Sequence, residues 1–330
     1  MHFPGRSIPE EKMPATELRN EVLWSNPEIL FPFDIQVGKQ SKLALFFSDN
    51  DKEPDFELGI RDRHWRSGDI GKVFFRDTKG RIYRDVDLKG CGGFRRKGQE
   101  PGWRYRPSEE DHFGLLDQTS AEFDSRMAEI FTQNGIRTHR SIAIFGLHEL
   151  PFYTEKNKKY TVEQLTEQKL LRYGIKPVIQ MRAFGTKTRL AEVDRGDGAP
   201  NEQVRSKILD AMDLVAIEAK KRFSAFSYVN WFAKTLGENI GRMHKLGYTH
   251  GYLNDLNITL DCRIVDLDSL VDTRGQPPVS VELRRDDDLE KAGVALAVFI
   301  FDVEHHFRIE IPDHETIREE FRNVYFANLR

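Results

Sequence analysis

The sequence predicts an α+β protein of two lobes, a sheet-rich N-lobe followed by a helical C-lobe, and three observations carry that prediction. Between Lys42 and Leu88, short apolar runs are separated by Gly, Asp and Asn, the pattern of antiparallel strands joined by tight turns. From Val204 onward, apolar residues recur instead at three- and four-residue spacing, the period of helices that bury one stripe. Between the halves, residues 185–201 are turn-rich, with Gly196-Asp197-Gly198 and Pro200, and mark the lobe boundary.

Composition bounds the function. The 330 residues carry 50 Lys+Arg against 53 Asp+Glu, a net charge of −3. That balance gives no global pull toward nucleic acid or an anionic membrane. Hydrophobic residues at 39% and aromatics at 11% suffice to fill a core, which excludes a wholly disordered chain. Cys91 and Cys262 make neither a disulfide framework nor a zinc site and indicate a reducing compartment. Residues 1–19 have no apolar core and carry acids early, which argues against a secretory or mitochondrial leader. The longest apolar run, Ala292 to Phe301, holds about 10 residues where a membrane span needs roughly 20. The expectation is a cytoplasmic protein with neither a membrane nor a nucleic-acid partner.

Taken in order, residues 1–40 read as an arm, irregular or partly helical, with a short helix at Leu18–Leu23 ended by Asn26-Pro27. Residues 41–190 form the N-lobe. There LALFF (43–47), KVFF (72–75) and RDVDL (84–88) read as strands, and Asp77-Thr78-Lys79-Gly80 as a turn. Residues 90–112, rich in Gly and Pro, read as a long mobile loop. A helix follows over Ser120–Gln133, with Phe123, Met127, Ile130 and Phe131 on one stripe and Gly135 as its stop. Residues 141–147 and 177–184 are two further strands. In the C-lobe, 191–330, Val204, Ile208, Ala211, Val215 and Ala219 mark one helix. Trp231, Phe232, Leu236, Ile240 and Met243 mark a second, ending at Gly247. A loop-and-strand unit at 248–271 contains a short strand, Cys262 to Val265. A turn at 275–278 and helices at 286–306 and 314–327 close the chain. This order of elements is that of a protein-kinase-like fold.

The segment from Met243 to Asp268 carries the chemistry: a helix end, His250-Gly251, Asn257, a strand, then Asp266. Phosphoryl and nucleotidyl transfer need a divalent metal across the phosphates, and Mg²⁺ accepts two protein oxygens when water and phosphate supply the rest. Read singly, Asn257 is a turn cap and Asp266 a strand-end acid. Set across a tight hairpin behind His-Gly, they point to a metal pair, with Asp268 a surface acid by default. Lys89, at a strand end before Gly90-Cys91-Gly92, suits phosphate contact, and the helix at 120–133 offers Glu122, Asp124 and Glu129 to hold it. Arg182 and Arg189 bracket a short turn, either gripping phosphate oxygens or forming surface ion pairs.

These segments together resemble the selenoprotein O family, kinase-like enzymes that transfer AMP from ATP to protein hydroxyls. The family's LKGAG-like segment is matched by Leu88-Lys89-Gly90-Cys91-Gly92, and its GIPTTRAL-like entry by residues 135–142. The RVAPSHIRFGTFE-like stretch is matched by residues 182–192, and HGVLNTDN…IDYG by residues 250–257 with Val265-Asp266. The resemblance runs in pieces from about Leu23 to Leu270. It implies that Lys89 contacts ATP phosphates and that Asn257 and Asp266 hold Mg²⁺ or Mn²⁺. Arg182 and Arg189 would grip the phosphate tail. In register, Asp124 stands where the family's acid pairs with the Lys, and Lys72, after Gly68-Asp69-Ile70-Gly71, stands as a basic phosphate contact. Leu256 replaces the family's Asp before the metal Asn, which leaves either Asp255, one residue further back, as the candidate catalytic base or no general base at all; Tyr252 occupies the base position of small-molecule kinases.

Two further signals lie outside this set. Phe94 to Lys97 and Trp103 to Arg106 interleave bases with aromatics, read as a local anion-contacting loop. His305-His306 face different directions on a helix and read as surface. The expected function is ATP- and metal-dependent AMP transfer to a protein or peptide acceptor. The alternatives are a kinase or nucleotidyl transferase acting on a small molecule or natural-product peptide, and a nucleotide-binding scaffold.

Overall fold

A computed structural model describes residues 11–29, 31–33, 35–48, 56–61, 64, 66–92, 114–151, 158–194 and 200–330. The first half builds β1 (Glu11–Glu17), β2 (Asn20–Ser25), β3 (Leu45–Phe47), β4 (Phe56–Ile60), β5 (Ser67–Arg76), β6 (Ile82–Lys89) and β7 (Leu116–Asp117). There follow α1 (Gln118–Gln133), β8 (Arg140–Leu147), β9 (Glu149–Pro151), β10 (Lys159–Thr161), α2 (Val162–Glu167) and β11 (Pro177–Phe184). The second half holds α3 (Glu202–Ala219), α4 (Ala225–Lys245), β12 (Tyr248–Thr249), β13 (Val271–Asp272), α5 (Pro278–Phe307) and α6 (His314–Leu329). The molecule is thus α+β, with antiparallel sheet first and helices last. Among the described residues, no helix is long and apolar enough to cross a membrane.

Nine strands form one antiparallel sheet in the order β2-β8-β11-β6-β5-β4-β1-β3, with β7 beside β11. β1 and β2 stand near opposite ends of that path, yet only Leu18 and Arg19 separate them. That link reaches about 10 Å when fully extended, so the sheet must curl until its ends approach. Val22, Phe46, Leu58, Leu88, Phe145 and Met181 fill the single apolar cluster the curl encloses.

The expected helix at Leu18–Leu23 is therefore a correction. Leu18 is fully buried and donates its N–H to Ala44, and Val22 pairs with Phe145 across β2 and β8. Six residues are too few to hold a helix alone, and a waiting strand edge wins. Gly68 to Lys72 lie inside β5. A side chain at Gly68 would stand 2.7 Å from Leu58, so the glycine there serves strand packing. Strands 45–47, 140–147 and 177–184 and the turn at Asp77–Gly80 match the expectation, and the loop at 90–112 falls mostly outside the described residues, as do both base-and-aromatic runs.

α1 joins the halves. Its Met127, Ala128 and Phe131 enter the helical core, while it also packs on β8 and β11. α4 lies at the centre of that core, close against α6, where Gly237 and Gly241 meet the α6 backbone directly. The expected strand at Cys262–Val265 is reduced to isolated bridges through Ile264, because Cys262 takes a left-handed conformation (φ 58°) and closes a turn on Thr259. α5 begins at Pro278 and not at 286, since a proline at the first helical position starts a helix and removes no needed N–H. His306 is also corrected. It is 3% exposed, donates Nε2–H to the Val193 carbonyl and accepts the Asn201 N–H at Nδ1.

Candidate functional site

β6 delivers Lys89 to the sheet's end, where Gly90 (φ 89°) turns the chain in space that any side chain would fill against the Val178 carbonyl. Lys89 is buried and donates to Asp266 Oδ1 at 3.2 Å and to Asp268 Oδ1 at 2.9 Å. Arg182, on β11, donates to the same Asp266 oxygen at 3.2 Å, and Arg189 reaches Oδ2 at 3.0 Å. One carboxylate thus gathers three cations from three separate segments. Burial opposes its charge, but Arg189, Lys89, Arg182 and Arg66 outweigh burial and hold the Asp266 carboxyl well below the usual carboxylate range.

Behind Asp266 the network continues into the core. Arg182 grips Asp87 with two nitrogens at 3.1 and 2.8 Å, and Lys187 adds a third contact at 3.0 Å. Burial works against the Asp87 charge, and Arg182 and Lys187 pull it far below the ordinary value. Lys187 also pairs with Asp69. Asp266 itself adopts a left-handed conformation (φ 58°, ψ 54°), fixed by Ser269 Oγ donating to its carbonyl and by Leu267 N–H donating to Asp124 Oδ1.

The loop at 250–257 is held from beneath. Asp288 of α5 accepts the N–H of His250 at 2.6 Å and of Gly251 at 2.7 Å, and His244 donates to the same carboxylate. His250 donates Nε2–H to the Val265 carbonyl, so its ring ties the loop to the strand-like segment before Asp266. Asn257 donates its amide to the Tyr252 carbonyl at 2.8 Å, and no described residue donates to its Oδ1.

Above these residues opens a cleft of about 500 Å³, whose walls include Arg66, Arg172, Tyr252, Asn257, Asp266 and Asp268. Asn257 and Asp266, the expected metal pair, do share it. Arg182 and Arg189, only 0% and 8% exposed, lie behind its wall and grip Asp266 where phosphate contact was expected. The cations on the wall are Arg66 and Arg172, and Asp268 joins Asp266 in holding Lys89. Sequence reasoning set Asp268 aside as a surface acid and had no signal for the two arginines, which stand in no motif.

Three further expectations are corrected. Asp124 does not bond Lys89; its Oδ2 receives His139 at 2.7 Å and Gln180 at 2.6 Å, and its Oδ1 receives Leu267. Asp124 therefore clamps the turn that presents Asp266. Glu129 bonds Arg140 and Glu122 bonds Gln118, so neither replaces it. Asp255 faces a second groove against α5 and not the cleft. Lys72 is exposed on β5 and is absent from the cleft wall.

Asp266, Asp268 and Asn257 bring hard oxygens, the donor type that Mg²⁺ takes, to one cleft, where both Asp266 oxygens are engaged by Lys89, Arg182 and Arg189 and Asp268 Oδ1 by Lys89. Among the described residues, no three His, Cys, Asp or Glu side chains gather to hold a cation by themselves. Comparison with protein families and with curated proteins finds no match for the chain.

Proposed function

We propose that this cleft binds ATP with Mg²⁺ or Mn²⁺ and that the protein is a kinase-like transferase moving AMP to a hydroxyl of a protein or peptide. The observation that supports the reading is the convergence of Lys89, Arg182 and Arg189 on Asp266, on the wall that also carries Asn257 and Arg66. The metal would supply neutralisation of phosphate charge, held by Asp266 and Asn257. Arg66 and Arg172 stand where phosphate oxygens would enter, and Lys89 exchanges a carboxylate partner for a phosphate one without leaving the strand end. In AMP transfer the acceptor oxygen bonds the α-phosphorus, the bond from that phosphorus to the bridging oxygen breaks, and pyrophosphate leaves. The hydroxyl proton passes to solvent. The resemblance to the selenoprotein O family favours this direction over transfer of the γ-phosphate.

A second reading, a nucleotide-binding scaffold without turnover, draws support from the base position. Leu256 precedes Asn257, and Asp255 is turned to the other groove. Parallel labelling with α- and γ-labelled ATP separates the readings. Label kept from the α-phosphate alone is the expected result; label from γ alone means a kinase, and label from neither with ATP bound means a scaffold. Asp266→Ala is expected to abolish metal-dependent ATP binding in a calorimetric titration. Asn257→Ala, which removes no buried charge, is expected to weaken it as well, and unchanged affinity in both variants overturns the nucleotide assignment.

A further inference from the structure

The groove that claims Asp255 has a chemistry of its own. It measures about 400 Å³ and lies between the 254–255 turn and α5. Its apolar side is Val294, Ala295 and Val298; Val294 and Val298 stand one helical turn apart and are 59% and 44% exposed. Its polar side is acidic. The one lysine there, Lys291, is engaged by Asp287 at 2.7 Å and by the Gly251 carbonyl at 2.7 Å, which also neutralises Asp287. Asp255 and Glu290 remain, and no described cation meets either carboxylate.

We propose that this groove seats the acceptor, a protein segment bearing a basic side chain beside two apolar ones. That it is the acceptor rests on the function proposed above; the chemistry of the segment rests on the groove alone. Two carboxylates that no described cation meets repel nucleic acid and anionic lipid and attract Lys or Arg, while two exposed valines offer apolar contact of about two side chains' width. Position agrees with charge. The chain passes from Asp255 in the groove to Asn257 in the cleft within two residues, so the two spaces share one loop as their wall. A segment lying in the groove places the residues next to it at the mouth of the cleft. Asp255 is then a residue that positions the acceptor.

The test uses the full chain and a fluorescein-labelled synthetic peptide with one Arg, two Leu and a Ser, read by fluorescence anisotropy. Saturable binding is expected to fall about tenfold when the peptide Arg is replaced by Glu, and by a similar factor in the Asp255→Asn/Glu290→Gln protein. Both substitutions are isosteric and leave the loop's backbone bonds intact. Equal binding by the double variant, equal binding of the Glu peptide, or no binding at all overturns the proposal. So does a concentration-dependent dimer in light scattering that Val298→Asp dissolves, since a second copy would then cover the groove. ATP titrations of the same samples separate the two claims. A wild-type protein that binds the peptide but not ATP keeps the basic-apolar site and removes the nucleotide reading.

Discussion

Asp87 shows how the site is held at the scale of single residues. It has no exposed surface, and among the described residues its counter-charges are the equally buried Arg182 and Lys187. Breaking such a pair leaves a desolvated charge unmatched, which typically costs about 3–5 kcal/mol. Asp87→Asn is expected to lower stability by that amount in urea unfolding and to loosen Asp266, which Arg182 also serves; a loss of under about 1 kcal/mol would show that the network is not a support. At this scale the sequence was legible where a residue sat in a motif. Lys89, Asn257 and Asp266 stand out in the sequence because a Gly turn or His-Gly flags them. Arg66 and Arg172 carry no such flag, and the roles of Asp124 and Arg182 depend on which groups the fold brings to them: His139 and Gln180 in one case, Asp87 in the other. Residue type announces that a charge is present, and only packing decides its partner.

Elements are governed by how closely backbones approach. On α4, a methyl group at Gly241 would stand 2.6 Å from the Tyr325 carbonyl, and one at Gly237 2.5 Å from the Phe321 carbonyl. Gly241→Ala must push α6 outward and is expected to cost about 1–3 kcal/mol. Gly293, on α5, meets nothing nearer than 3.9 Å, so Gly293→Ala is expected to be neutral or to stabilise by up to about 1 kcal/mol. Thermal melts of the two variants check both signs. Helix stripes made α3 and α4 legible, because burial on one side imposes the period directly. The start of α5 was hidden by its first two turns, where Val279 and Leu283 face solvent at 68% and 66% exposure and break the stripe. β2 was hidden for another reason: six residues contain too few repeats for a period of two to stand out from a period near four.

For the whole molecule, one buried pair contributes a defined part of the acid sensitivity. Burial, with Arg189 and Lys187, depresses the His64 imidazole from 6.5 to about 4, against the opposing pull of Glu192. Glu192, which burial alone would raise, is brought from 4.5 to about 2 by His64, Arg61 and Lys207. Between pH 6.5 and about 4 the unfolded chain binds a proton at His64 that the folded chain refuses, so stability is full above that window and falls as pH drops through it. Glu192 adds a further loss between 4.5 and about 2. The melting temperature is expected to decline from neutral pH toward pH 4, as the unfolding free energy falls by up to about 1.4 kcal/mol per pH unit from this group inside the window. His64→Gln should flatten the upper part of that slope, and an unchanged slope would place the sensitivity elsewhere. The division into sheet and helix halves was legible because each half keeps its own hydrophobic period over many residues. The curl of the sheet was not, since pairing of residues 20–25 with 143–147 leaves no mark in either segment.

That pairing also sets an order of events during synthesis. β2 leaves the ribosome more than a hundred residues before its partner in the described sheet, β8, and β11, the strand on the far side of β8, is later still. The nascent chain must carry the apolar side chains of Leu18, Val22 and Trp24 without their final cover until the middle of the sequence has been translated. Securing β2 therefore depends on a distant closure and is slow relative to the helices. β2 is made early and secured late, whereas β1 finds its partners β3 and β4 close behind it in the sequence.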